Sequence, residues 1–178
     1  ARHGKTPIQV LNDYGVWDVR AIAAHCVWTT PEDWSVMASK GVSAIHNPMR
    51  NLKLGSGVAP VPEMLKRGVH VALGTDGAAS NNRLDLWDEM RLASLIHKGV
   101  GRDPLAVSSR QLIDCATYQG VRAFGYEKVG RLAEGWAADL TAVDLTALHY
   151  LGADEDNMSS YVVYAGSSGD VRHVLCGG

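Results

Sequence analysis

The sequence lacks the features that mark membrane proteins, disulfide-rich proteins and nucleic-acid-binding proteins. No apolar run approaches the ~20 residues that a membrane span needs, and no signal-peptide pattern opens the chain. Cys26, Cys115 and Cys176 are widely separated and form no CxxC pair, which argues against a disulfide framework or a cysteine-rich zinc site. With 17 basic and 19 acidic residues, there is no basic excess to attract nucleic acid. We therefore expect a cytoplasmic protein with neither a membrane nor a nucleic-acid partner.

The chain does contain short apolar segments that alternate with helix-like segments. Hydrophobic residues make up 46% of the 178 residues, which is enough to bury a core. Such alternation, with short links, is typical of a parallel sheet with helical crossovers. We expect adjacent parallel strands, in chain order, over 21–25, 42–46 and 69–73. The expected helices are 31–40, started by Thr30 and Pro31 and closed by Gly41; 62–67; and 83–98, capped by Asn82 and ended by Gly99.

The pattern of the last third of the chain is different. Helices are expected over 108–117 and 119–124, and short strands follow over 139–143, 161–164 and 171–176. These strands indicate a small antiparallel β module. The predicted organisation is a region of βα units with following helices over residues 1–125 and part of a small β module over 126–178. Residues 47–57 are expected to form a plain loop.

Three polar residues stand where the predicted parallel strands end: His25, His46 and Asp76. In a β/α barrel the carboxyl ends of the strands converge on the face that carries the active site. Two imidazoles and a carboxylate at that face are suitable ligands for zinc or a similar divalent ion. Hydrogen-bonded structural histidines and a turn-capping aspartate are the alternatives that the pattern leaves open.

Four segments together resemble the amidohydrolase superfamily. These are "AAHCV", "HNPMRNLKLGSGVAPVPEMLKRGV", "ALGTDGAASNNRLDLWDEMRLASL" and the tail "GRLAEGWAADLTAVDL". The branch that they are most similar to contains methylthioadenosine/S-adenosylhomocysteine deaminases and chlorotriazine hydrolases. The resemblance implies the C-terminal part of a TIM-like (β/α)8 barrel with part of a small flanking β-sandwich module. It also implies one divalent metal, of which zinc is the best candidate.

The resemblance assigns roles to individual residues. Asp76 matches the aspartate that binds the metal and carries a proton from the metal-bound water. His25 matches the strand-end histidine that orients this water, and in some relatives it also contacts the metal. His46 is expected to line the substrate pocket, and Ser80 to form a hydrogen bond with the substrate. Arg50 stands where a small residue would be expected.

The implied activity is hydrolytic deamination of an aminopurine nucleoside such as methylthioadenosine or S-adenosylhomocysteine, by a homo-oligomeric enzyme. Hydrolysis of a triazine and deamination of a guanine-type base remain open, because the same water would attack a similar electron-poor ring. The HxH pair and the HxxE motif of the family are absent from these 178 residues, which begin at Ala1. We therefore expect the chain to be part of a longer protein and to be inactive alone, and a non-catalytic fragment is the remaining alternative.

Overall fold

Three parallel strands form the central sheet in a computed structural model that describes residues 4–178. They are β1 (Ile22–Ala24), β2 (Ser43–His46) and β3 (His70–Leu73), in the spatial order β1-β2-β3. Ile22 lies opposite Ser43, and Ser43 lies opposite His70, so the three strands begin together, and β1 ends one residue earlier than its neighbours. The prediction of adjacent parallel strands in chain order is confirmed.

Nine α-helices, three single-turn 3-10 helices and a second sheet complete the described part of the chain. The α-helices are α1 (Pro7–Asp13), α2 (Pro31–Lys40), α3 (Pro48–Lys53), α4 (Val61–Lys66), α5 (Ala78–Asn81), α6 (Leu86–Gly101), α7 (Ser109–Ala116), α8 (Tyr118–Ala123) and α9 (Met158–Tyr164). The second sheet pairs β4 (Leu140–Val143) with β5 (Val171–Leu175) in antiparallel orientation. Over residues 4–178, no helix has the length and apolar character that crossing a bilayer requires.

Helix α2 shows how local signals define the crossovers. The Thr30 hydroxyl accepts a hydrogen bond from the Asp33 amide, and the Asp33 carboxylate accepts one from the Thr30 amide, forming a capping box. Pro31 occupies the first helical position, where its missing N–H costs nothing. Gly41 then ends the helix in the left-handed conformation, with φ of 66°. The boundaries predicted for this helix are confirmed.

Three predictions between β2 and the end of α6 are wrong. Residues 47–57 are not a plain loop, because they contain α3. Asn82 does not cap the long helix: it lies in the left-handed conformation at the end of α5, and the Asp85 carboxylate caps α6 by accepting from the Trp87 amide. Helix α6 also continues past Gly99, since a single glycine weakens a helix without ending it.

The strand predicted over 161–164 is also wrong, because this segment belongs to α9. The Asp154 carboxylate accepts hydrogen bonds from the amides of Asp156 and Asn157, which starts a turn directly before the helix. Val163 is then fully buried against α6 and α7. Packing on one side of a helix thus overrides the strand preference of its β-branched and aromatic residues.

The core lies on the helical faces of the parallel sheet. One apolar cluster joins β2 and β3 to α2 and α4, and includes Met37, Val71 and the fully buried Met64. A second cluster joins the end of β3 to α6, α7 and α9. Among the described residues the outer edge of β1 has no strand partner, and Ile22 on this strand is 38% exposed. The sheet is thus held firmly at β2 and β3 and is open at β1.

Candidate functional site

His25 and Asp76 meet at the carboxyl end of the parallel sheet. His25 directly follows β1, and Asp76 lies in the loop after β3. The His25 Nε2 atom is 3.8 Å from Asp76 Oδ2, and the two side chains are about one third exposed. Parallel topology brings these residues together, since both follow strands whose carboxyl ends lie at the same end of the sheet.

The backbone at both residues is strained. His25 has φ of 67° and Asp76 has φ of 60°, in the left-handed region that non-glycine residues seldom adopt. The His25 amide donates to the Ile45 carbonyl of β2 at 2.9 Å, which fixes the histidine to the sheet. Strained residues of this kind concentrate at active sites, where the surrounding structure holds them in place.

The Asp76 carboxylate is surrounded by donors and positive charge. Its Oδ1 atom accepts from the Gly77 amide at 2.7 Å, and its Oδ2 atom lies 3.1 Å from Arg50 Nε. The Gly77 hydrogen bond is the main cause that lowers the pKa of Asp76, and the Ser80 hydroxyl and the nearby His25 and Arg50 side chains lower it further. Asp76 is therefore an anion at neutral pH, as a metal ligand or proton acceptor must be.

The contact between Arg50 and Asp76 was not expected from the sequence. Arg50 lies on α3, and its Nη1 atom also donates to the Ser56 hydroxyl at 3.1 Å. The departure from a small residue at this position was the available signal, but α3 was not predicted and so the direction of the side chain was unknown. The structure adds Arg50 to the candidate site.

Ser80 lies in the same segment as Asp76. It is on α5, and its hydroxyl donates to the Gly77 carbonyl at 3.0 Å. The structure therefore places Ser80 near Asp76, while its predicted contact with a substrate stays a prediction.

The observed hydrogen-bond partner of His46 is in the helical layer and is neither His25 nor Asp76. His46 is 2% exposed, and its Nε2 atom lies 3.1 Å from Nε2 of His97 on α6. Burial lowers the pKa of His46 to about 3 and that of His97 to about 4, and the charge of His97 adds to the effect on His46. Both rings are neutral at pH 7, so one donates to the other. The predicted pocket-lining role of His46 stays a prediction, and its observed contact is with the helical layer.

The buried pair of histidines predicts a loss of stability in acid. Unfolded histidines bind a proton near pH 6.5, while His46 and His97 in the folded chain stay neutral to about 3 and about 4. Between these values the unfolded state binds more protons, so the free energy of unfolding falls as pH falls. The free energy of unfolding therefore has a positive slope against pH between pH 4.5 and pH 6. We expect this slope to be smaller by about 1 kcal/mol per pH unit in His97→Gln than in the wild type.

Urea unfolding at several pH values measures this slope. His173→Gln is the matched control, because His173 is exposed on β5 and should leave the slope unchanged. A slope that is the same in His97→Gln and in the wild type would contradict the prediction.

The residues that could hold a metal are His25 and Asp76. Imidazole nitrogen and carboxylate oxygen are both good zinc ligands. The Nδ1 atom of His25 is buried and has no hydrogen-bond partner among the described residues. Within residues 4–178, no group of three or more His, Cys, Asp and Glu side chains is arranged to bind a metal ion. The chain therefore supplies two donors, which fit part of a zinc site and do not complete one.

Known proteins share the overall fold of this chain. An adenosine deaminase from Xanthomonas campestris with bound zinc superimposes with a TM-score of 0.94 at 35% identity, covering 99% of this chain and 40% of that one. Atrazine chlorohydrolase from Arthrobacter aurescens TC1, complexed with zinc, gives a TM-score of 0.89 at 30% identity, covering 99% and 39%. A 5-methylthioadenosine/S-adenosylhomocysteine deaminase of Dictyoglomus thermophilum is 46% identical over 176 residues, which cover 99% of this chain and 41% of that protein.

The chain thus spans about two fifths of the length of the relatives that it matches. The family model described as "Amidohydrolase family" matches all of residues 1–178. The resemblance found in the sequence is confirmed, and this chain belongs to the amidohydrolase family.

Proposed function

We propose that the full-length protein to which this chain belongs is a hydrolytic deaminase of an aminopurine nucleoside such as methylthioadenosine or S-adenosylhomocysteine. The observation that carries the proposal is the pairing of His25 and Asp76, 3.8 Å apart, at the carboxyl end of adjacent parallel strands. The 46% identity to a deaminase of this substrate class supports the choice of substrate. The reaction is hydrolysis of a C–N bond: water adds its oxygen to the ring carbon, and the amine leaves as ammonia.

The proposal includes one divalent metal, zinc, held in the full-length protein by Asp76 and His25 together with ligands outside this chain. When bound, zinc lowers the pKa of water towards neutrality. Asp76 is suited to accept a proton at Oδ2, because the Gly77 amide keeps its carboxylate ionised. His25 presents Nε2 to the same oxygen and can orient a polar group there. Ser80 and His46 are proposed to contact the substrate.

The proposed architecture follows from the same relatives. The three parallel strands would form part of a (β/α)8 barrel, and β4 and β5 part of a flanking β-sandwich. The division into residues 1–125 and 126–178 is part of the proposal, although α9 of the second region packs on α6 and α7 of the first. A cytoplasmic location and a homo-oligomeric state rest on sequence composition and resemblance, and they stay predictions.

A substrate panel on the full-length protein tests the proposed function. Methylthioadenosine, S-adenosylhomocysteine, guanine and a chlorotriazine are offered separately, and release of ammonia or chloride is measured. We expect ammonia from the two nucleosides with kcat/KM at least about tenfold above that for guanine, the size of difference that roughly one unmatched contact produces. Chloride release from the triazine as the dominant activity would transfer the assignment to the triazine hydrolases. No turnover of any compound would favour a non-catalytic protein.

A further inference from the structure

A buried carboxylate connects the two segments that carry the candidate site. Glu89 is in the first turns of α6 and is 1% exposed. Its Oε1 atom accepts from Asn81 Nδ2 at 2.6 Å, and its Oε2 atom accepts from the Met49 amide at 3.1 Å. Each oxygen therefore has a donor, and the two donors belong to different short helices, α5 and α3. A buried carboxyl group with both oxygens hydrogen-bonded is costly to disturb, because removing a donor leaves one of its oxygens without a partner.

The first connection leads to Asp76. Asn81 is buried at the end of α5, and its Nδ2 group donates to Glu89 and also to the carbonyl of Thr75 at 2.6 Å. Thr75 directly precedes Asp76, so the peptide that joins them is tied to Glu89 through one amide side chain. This tie explains how Asp76 can keep its left-handed backbone, with φ of 60°. Such a conformation is unfavourable for a residue other than glycine unless neighbouring contacts hold it.

The second connection leads to Arg50. The Met49 amide is one of the free donors at the start of α3, and Asn47 at the N-cap makes no side-chain hydrogen bond to this helix. Glu89 accepts from this donor instead. Arg50 follows Met49 directly and brings Nε to within 3.1 Å of Asp76 Oδ2. Glu89 is thus connected to the residue before each member of the ion pair: directly to Met49, and through the Asn81 side chain to Thr75.

We propose that Glu89 is a positioning residue that fixes Asp76 and Arg50 relative to each other. Its importance for turnover rests on the proposed deaminase function. The positioning itself concerns only contacts within this chain. A displacement of about 1 Å in a catalytic group can reduce a rate by ~100-fold, so the loss of either connection should reduce kcat more than it changes KM.

The test uses Glu89→Gln and Asn81→Ala in the full-length protein. Glutamine keeps the shape of Glu89 but places an NH2 group against one of the two donors. We expect kcat to fall by about 10- to 100-fold in both variants, with KM within about threefold of the wild type. Ser94→Ala is the matched control: Ser94 is fully buried on the same helix, and its hydroxyl is bonded to Tyr164 of α9, away from the site. We expect Ser94→Ala to lose about as much thermal stability as Glu89→Gln and Asn81→Ala, while its kcat stays unchanged.

Hydrogen exchange measured by mass spectrometry on the same proteins is independent of the reaction. In Glu89→Gln we expect faster exchange in 47–53 and 74–81 and unchanged exchange in β4 and β5. Faster exchange in these segments without turnover by the wild type would support the positioning and reject the deaminase function. Unchanged exchange in both segments, or an equal fall of kcat in Ser94→Ala, would overturn the proposal.

Discussion

Asp76→Asn is expected to reduce ammonia release by the full-length protein by about 10²- to 10⁴-fold, the range that a positioned general acid or base contributes. In the wild type the Gly77 amide donates a hydrogen bond to Asp76 Oδ1 at 2.7 Å. Asparagine has the shape of aspartate, and its side-chain oxygen can still accept this hydrogen bond. It has no negative charge and cannot accept a proton at Oδ2. The fold should therefore persist while the chemistry is lost, as measured by ammonia release and by circular dichroism.

Asp103→Asn provides the matched control for this experiment. Asp103 is also a loop aspartate whose Oδ1 atom accepts a backbone amide, that of Leu105 at 2.8 Å, and it lies past the far end of α6. Its replacement should leave turnover within about twofold of the wild type, because surface substitutions have small effects. Turnover retained in Asp76→Asn would remove Asp76 from the mechanism.

The parallel sheet could be predicted because its signals are local. Short apolar segments separated by capped helices, such as the one that starts at Thr30 and Pro31, define βα units without knowledge of the fold. Parallel topology then requires that residues following β1 and β3 lie at the same end of the sheet, the end where the strands have their carboxyl termini. For this reason His25 and Asp76 could be placed together from the sequence, and the structure finds them 3.8 Å apart.

The elements that were missed depend on tertiary contacts. Helix α3 begins where Glu89 bonds the Met49 amide, 40 residues away in the sequence. Helix α9 is helical because Val163 packs against α6 and α7. His46 follows the same strand pattern as His25, yet its partner is His97 on α6. The sequence indicates that a residue lies at the carboxyl end of the sheet when it follows a strand. The direction of its side chain depends on the helices that cover the sheet.

The 178-residue chain, isolated and desalted, is expected to retain well below one zinc per molecule and to release no ammonia from methylthioadenosine. A catalytic zinc site normally has three protein ligands, and at the candidate site the described residues supply two, His25 and Asp76. Zinc-bound histidines usually donate their other N–H, and loss of that partner costs about 10- to 100-fold in affinity. Nδ1 of His25 has no such partner among the described residues. The Arg50 guanidinium, 3.1 Å from Asp76 Oδ2, adds repulsion to any cation there.

Metal analysis by mass spectrometry, on the chain and on the full-length protein purified in parallel, measures the difference. The full-length protein should hold about one zinc, in line with a single complete catalytic site. Asp76→Asn in the isolated chain separates binding at this site from weak binding to other histidines, and we expect it to have the same low zinc content as the wild-type chain. One tightly held zinc per wild-type chain that is lost in Asp76→Asn would contradict the ligand assignment. It would mean that other side chains of these 178 residues move towards His25 and Asp76 and supply the missing zinc ligands.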